Sequence, residues 1–492
     1  MGEPIGKTLT VRRTPITGLL ALTMLLVGGC NTYKASFAQS YQYGQYEIAE
    51  AQLLQEGSGA LKSEGNGDRL IYLLEQGAVQ RTRGDLAGST QALDLADDYF
   101  KKVDEQADIR IGRGAKAAVS NLAELAYEGY GYDRIMMNAY KALNYMEQGN
   151  LDYARAELKR VAYTQQQLER TKAERIKKLQ EEGAESGRYN SAAATDPGLA
   201  SQTRMLYSDI PDNSVSAAYV NGFAEYLQGI FLLHAGDSDD REVGRAAIRR
   251  TLSMINNAYV RQDFEWAEKS GTEQAAAPVT YVIFESGLAP LRKEVRIDIP
   301  VWFFNLAFSD TGVDYIGVAF PRLIPQPGGM PMLQAQAGGA AYPTQMLVDM
   351  DGVVAREFKD ELPTVITRTI IAAGAKAGVA FAANRATKDE PLLNLLTRIA
   401  TTAYQYTVNN ADLRTWRTLP KTISVARFPT PADGRVTLLS PAGAVVANVT
   451  VIAGAVNVIW VRGPGDAGGI VCRTFGLGAK AKVVGNGVVS GS

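Results

Sequence analysis

The sequence predicts an α+β protein: an irregular all-α array of helical hairpins over residues 40–268, then a mixed, mostly antiparallel sheet domain with two packed helices over 278–473. Three observations carry this expectation. Paired apolar stripes at helical spacing recur in the first part, separated by short glycine-containing turns. Short runs with the two-residue alternation of strands dominate the second. Between them KSGTEQAAAP (269–278) has the composition of a linker.

The clearest hairpin is MMNAYKALNYMEQGNLDYARAELKRV, residues 136–161. Met136, Ala139, Tyr140, Leu143 and Met146 line one face of a first helix, and Leu151, Ala154, Leu158 and Val161 line a second. Gly149 can take the left-handed backbone that closes a helix, and small Ala154 beside Leu158 lets the two helices approach. This is the spacing of a tetratricopeptide-repeat hairpin. Gly44, Ala49 and Leu53 repeat it. In the next copy Gly84 opens the second helix, Ser89, Leu93 and Ala96 take the small, large and small positions, and Gly77 falls where the first helix prefers a small residue. ADIRIGRGAKAAVSNLAEL (107–125) is amphipathic but lacks the pattern, and a fourth copy spans 217–254 with an insertion after Gly236. The copies are too irregularly spaced for a uniform array of ~34-residue repeats. The polar stretch 165–188 reads as a solvated helix with ion pairs such as Glu169 with Lys172, and 183–203 as a loop rich in Gly, Ser and Ala.

Beyond the linker, TYVIFE (280–285) is apolar on both faces, as a central strand is. EVRIDIP alternates, with Val295, Ile297 and Ile299 inward. Another strand precedes a Gly/Pro-rich loop at 324–342, and QMLVDMD follows it. Two helices are expected at about 363–383 and 390–408, then strands in TISVARF, RVTLLS and AVVANVTVIAGAVNVIWVRG, the last pair turning at Ala453-Gly454. The Gly-rich segment 474–492 reads as a flexible tail.

Residues 1–29 read as a targeting segment. Lys7, Arg12 and Arg13 form a basic region, ITGLLALTMLLV a short apolar one, and Val27-Gly28-Gly29 leads to Cys30. This resembles a bacterial lipoprotein signal peptide, which implies lipidation of Cys30 and a tether over 30–39. A secretory peptide with a chance Cys, or a short anchor, fits less well, because the apolar run is far below the ~20 residues of a span. Asn31 after the Cys brings no Asp that argues for retention at the inner membrane. Removing the segment takes the net charge from −1 to −3, a near-neutral balance that argues against nucleic acid as a partner. Only Cys472 remains beside Cys30, so no intramolecular disulfide is expected in the fold.

His234 is the sole histidine, which excludes histidine triads and multi-imidazole zinc sites; it reads as a residue at a helix C-terminus. MLVDMDGVV places Asp349 and Asp351 after an apolar strand, as in the first motif of haloacid-dehalogenase-type phosphatases, where the first Asp is the nucleophile and the second a general acid. That magnesium-dependent chemistry also needs a Ser or Thr, a Lys and a later acidic pair. No strand ending in paired carboxylates follows, so a β-turn at Asp351-Gly352 is the stronger reading. Asp237, Asp239 and Asp240 lack the glycine and terminal Glu of a calcium loop. No catalytic residue, metal site or cofactor is therefore expected. The tyrosine cluster Tyr127, Tyr130, Tyr132 and Tyr140 either fills space between helices or offers a partner-binding surface.

The stretches YEGYGYDRIMMNAYKALNYMEQGNLDYARAELKR, YVNGFAEYLQGIFLLHAGD, FESGLAPLRKEVRIDIP, GVAFPRL and ADLRTWRTLPKTISVARFP together resemble a group of bacterial tetratricopeptide-repeat lipoproteins of unassigned biochemical role. The match covers about 40–430. The resemblance implies genes near lipoproteins similar to penicillin-binding-protein activators, and hence a part in peptidoglycan or outer-membrane assembly. The expectation is a non-enzymatic scaffold, lipid-anchored to the periplasmic face of the outer membrane, that binds other envelope proteins or lipoproteins through Tyr130, Tyr132, Tyr140 and Tyr145. A phosphatase using Asp349 and Asp351, and a structural subunit of a multi-lipoprotein secretion complex, are the alternatives.

Overall fold

Among the described residues the regular elements up to Lys269 are helices, and strands begin at Val279. The computed structural model describes residues 35–110, 126–185, 221–269, 278–300, 315–362, 410–466, 469–477 and 484–488, with a few isolated positions between them. Consecutive helices fold back on each other in pairs: α1 (Phe37–Gln42) with α2 (Tyr46–Glu56), α4 (Arg69–Arg83) with α5 (Leu86–Arg110), α6 (Gly131–Glu147) with α7 (Leu151–Glu185), and α8 (Gly222–Ala235) with α9 (Ser238–Met254). Short α3 (Ser58–Lys62) precedes α4, and α10 (Ala258–Lys269) ends the helical part. Small residues set the close approaches. A Cβ on Gly77 would lie 2.4 Å from a Leu93 methyl, and one on Gly229 would lie 2.4 Å from Ile248. Ala154 and Leu158 are fully buried against α6.

The strands are β1 (Val279–Ser286), β2 (Leu291–Pro300), β3 (Tyr315–Ile324), β4 (Gln334–Ala337), β5 (Ala340–Pro343), β6 (Gln345–Asp349), β7 (Thr422–Pro429), β8 (Arg435–Leu439), β9 (Val445–Thr450), β10 (Val456–Gly463), β11 (Val471–Leu477) and β12 (Val484–Val488). They form a six-stranded sheet in the order β12-β11-β10-β1-β7-β6, a four-stranded sheet β5-β4-β8-β9 and a ribbon β2-β3. Every pairing is antiparallel except β1 with β10. The fold class is thus α+β. On β1, Tyr281 and Glu285 project toward the helices, bonding Asp263 of α10 and Tyr140 of α6. Val282 and Phe284 alternate to the other face, where Phe428 of β7 stacks on Tyr342 of β5 at 4.9 Å. The first helices of the hairpins therefore lie between their partners and the sheet, and α4, α6 and α8 are buried almost along their whole length.

Several local expectations change. MDGVVAREF is not a turn: residues 350–362 are helical (α11), because Asp349 accepts the Asp351 N–H at 3.1 Å as an N-cap and Met350, Val354, Phe358 and Leu362 recur at four-residue spacing. The expected helices at 363–383 and 390–408 lie outside the described residues, apart from isolated helical positions. The Gly/Pro loop contains the β4–β5 hairpin, turned by Gly338 and Gly339 at positive φ. β9 and β10 do not form a hairpin but enter different sheets. Asn457 satisfies the backbone of the connecting turn, bonding Ile452 and Ala455, and frees β10 to pair with β1. Thr474 lies within β11, and Phe475 and Leu477 are buried, so the expected tail supplies strand residues and the edge strand β12. Val295 and Ile297 are half-buried and only Ile299 of that set is buried, since β2 sits in a two-stranded ribbon. No insertion separates α8 from α9, because Asp237 caps α9 by accepting the Asp240 N–H at 2.9 Å.

The turn between α1 and α2 is pinned to the far end of the chain. Gly44, at φ +75°, lies so close to Gly469 that a Cβ would come 2.2 Å from its Cα, and the Tyr46 hydroxyl donates to the Gly469 carbonyl. Gly44→Ala is expected to cost about 2–4 kcal/mol, combining left-handed strain with a backbone clash. Urea unfolding of the two proteins measures it.

Candidate functional site

The helix-facing side of the six-stranded sheet carries charge where an apolar face would be usual. Glu285, Arg462 and Arg473 stand on β1, β10 and β11, each in an otherwise apolar run, and all three are buried. The Trp460 indole N–H donates to Glu285 Oε1 at 2.8 Å and the Tyr140 hydroxyl to Oε2 at 3.0 Å. Arg462 donates to the Glu285 and Thr418 carbonyls at 3.2 and 3.1 Å and to the Tyr41 hydroxyl at 3.3 Å. Glu147, at the end of α6, accepts from Arg81 of α4 at 2.6 Å and from Arg473 at 2.8 Å. The two guanidiniums lie 4.6 and 4.1 Å from the Trp460 ring. Burial works to raise the Glu147 pKa, but the two arginines outweigh it and hold the carboxyl below its ordinary value.

Two further clusters extend this seam. Glu75 of α4, fully buried, accepts the backbone N–H groups of Arg417 and Thr418 at 2.6 and 3.2 Å and the Thr418 hydroxyl at 2.6 Å. Arg414 bonds Asp68 and Asp412 at 2.9 and 2.8 Å, and Trp416 is fully buried. The phrase ADLRTWRTLP is thus a strap holding α4 to the sheet. Toward α10, Asp263 accepts from Tyr226, Tyr281 and Arg427 at 2.6, 2.8 and 2.5 Å. His234 meets the Tyr281 hydroxyl at 2.9 Å and stacks on Trp266; burial pushes its pKa down to about 3, so it stays neutral. In Glu285, Glu147 and Asp263 both carboxylate oxygens accept hydrogen bonds, so these groups fasten helices to sheet.

The four tyrosines expected at a partner surface divide. Tyr130 and Tyr132 stack at 5.4 Å at the start of α6, and the Tyr130 hydroxyl accepts from Arg292. Tyr132 and Tyr140 are 1% and 2% exposed, which places both inside the molecule and removes them from any outer surface. Tyr145, five residues beyond Tyr140 and so turned away from the sheet, is half-buried and stacks at 5.2 Å on the exposed Tyr153 of α7. Cys30 lies outside the described residues.

Two carboxyls converge at the N-terminus of α6. Glu357 of α11 accepts the Gly131 and Tyr132 N–H groups at 2.5 and 3.0 Å, and Asp133 accepts the Tyr130 N–H at 2.9 Å and the Tyr127 hydroxyl at 2.6 Å. Burial raises Glu357 to about 8, with repulsion from Glu361 adding to it, and burial raises Asp133 to about 7 against the pull of its hydrogen bonds. Asp349 and Asp351 are adjacent, but Asp349 is spent as a cap, and Asp351 is ion-paired with Lys421, which also donates to the Gln326 carbonyl at 3.1 Å. Among the described residues no group of three His, Cys, Asp or Glu could hold a metal ion, and no helix is long and apolar enough to cross a membrane. Comparison with family models, curated proteins and solved structures finds no match.

Sequence reasoning missed the charged seam. Its signal was present as charge inside apolar strands, in YVIFES, VIWVRG and VCRTF. Glu147→Ala, which leaves Arg81 and Arg473 buried without their shared partner, is expected to destabilise by about 3–5 kcal/mol in urea unfolding. Because the folded pKa values of Glu357 and Asp133 exceed ordinary carboxyl values, the folded state holds extra protons, and stability falls as pH rises from about 4 to about 8. Glu357→Gln should remove one proton's worth of that slope, read from unfolding midpoints across the range.

Proposed function

We propose that the protein is a non-enzymatic, lipid-anchored scaffold on the periplasmic face of the outer membrane that binds other envelope proteins. The N-terminal segment ending at Val27-Gly28-Gly29-Cys30 supports the anchor. The tetratricopeptide-like reading is supported by the paired helices, with Gly77 against Leu93 and Ala154 and Leu158 buried in the next pair. The observation that carries the reading is where free surface lies. The first helices are covered by the chain's own sheet, while the second helices face outward and bear Tyr153 and Tyr163, each 63% exposed. The partner then docks on the outer face of α7, around Tyr145 and Tyr153, where rigid amphipathic rings favour an interface.

A photo-crosslinking residue in place of Tyr153 or Tyr163, in intact cells, is expected to capture one envelope protein at defined stoichiometry. With the crosslinker at position 163, Tyr145→Ala with Tyr153→Ala should lower that capture about tenfold, the loss of a modest hot spot, with unchanged unfolding. Adducts scattered over abundant neighbours would contradict the reading.

A further inference from the structure

We infer that the outward face of the α1–α2 hairpin rests on the phospholipid surface beside the anchor; this rests on the lipoprotein reading of Cys30. Phe37 follows Cys30 by only seven residues and is fully buried, as is Tyr41 four residues on. Seven residues span at most about 25 Å even when fully extended. A lipid on Cys30 therefore keeps the start of this hairpin within about 25 Å of the bilayer.

The hairpin's composition fits that placement. Helix α2 buries Tyr46, Ala49 and Leu53, and its outward side carries the apolar residues Ile48, Ala51 and Leu54 at three-residue spacing, beside exposed Glu47 and Gln55. Ile48 and Leu54 are 50% and 41% exposed, and Tyr43 in the preceding turn is 63% exposed. Three of the nine large apolar residues exposed among the described residues thus fall within twelve positions of the chain. The outward faces of α5 and α7 set their exposed apolar residues, Leu95, Tyr153 and Tyr163, farther apart and among several exposed charges of both signs, Asp98, Lys101, Lys102, Asp152 and Lys159. A helix whose outer face interleaves Ile48 and Leu54 with the exposed polar side chains of Glu47 and Gln55, held within reach of acyl chains, gains by setting the two apolar side chains into the headgroup boundary while the polar ones stay in water.

The test supplies the anchor chemically. The mature chain from Cys30 is coupled through that thiol to a maleimide lipid in phosphatidylethanolamine–phosphatidylglycerol vesicles. Cys472 is buried, and burial raises its thiol to about 12, so coupling is confined to Cys30. Benzoylphenylalanine replaces Ile48, Leu54, Tyr163 or Val445 in turn, and adducts are identified by mass spectrometry after irradiation. Lipid adducts at 48 and 54 should exceed those at 163 and 445 by about fivefold or more if the first pair lies in the interface. Equal yields at all four positions, or adducts at 48 and 54 to a second copy of the chain, overturn the inference. Palmitate labelling of wild type and Cys30→Ala in cells tests the lipoprotein reading separately, so the two failures are distinguishable.

Discussion

The carboxylate of Glu147 sits between Arg81 and Arg473 in a place that water does not reach, and the rest of the architecture depends on that arrangement. An isolated charge there would carry a desolvation cost of several kcal/mol. Two guanidiniums, the Trp460 ring between them and the Asn144 side chain on Arg81 offset it. The three charged residues come from α6, α4 and β11, so the cluster is complete only when two helical hairpins and the sheet are all in place. Buried ionic groups of this kind add little net stability over an apolar core. Here they fix which helix meets which strand, and at what height.

The same constraint explains the layering. Glu75 ties α4 to the 416–418 strap, Tyr140 and Glu147 tie α6 to β1 and β11, and His234 and Tyr226 tie α8 to β1 and α10. The inner helices thereby lose the exposed face that a free helical array would present, and the outer helices keep theirs. The helical surface left uncovered by the chain itself lies on the outer helices. Tyr132 and Tyr140 illustrate the consequence: their size and polar tips, which suggested an interface, serve an interface within the chain.

Much of this was legible in the sequence where the determining contacts are local. The small residues Gly77 and Ala154 marked helix pairs, Gly149 marked a helix end, and β1 and β7 followed from apolar runs. Errors arose where a local signal had two meanings. Asp351-Gly352 suits a turn, but an Asp at position 349 also caps a helix. Ala453-Gly454 suits a hairpin, yet Asn457 closes that turn by itself and β10 pairs with a strand far earlier in the chain. The charged seam was visible as misplaced charge, but Arg473 and Glu147 are separated by more than three hundred residues, and nothing local pairs them. The strap at Trp416 was conspicuous as a phrase, although its anchor, Glu75, is as remote.

Urea unfolding followed at once by far-ultraviolet circular dichroism and by tryptophan fluorescence tests the central claim most directly. The dichroism reports mainly the helices, and fluorescence from the four tryptophans, Trp416 and Trp460 of the seam among them, reports tertiary packing. If the helical layer and the sheet are one cooperative unit fastened by buried charge, the two transitions coincide, and Glu147→Ala shifts both to lower denaturant together. Two separated transitions, with the substitution moving only one of them, would contradict it.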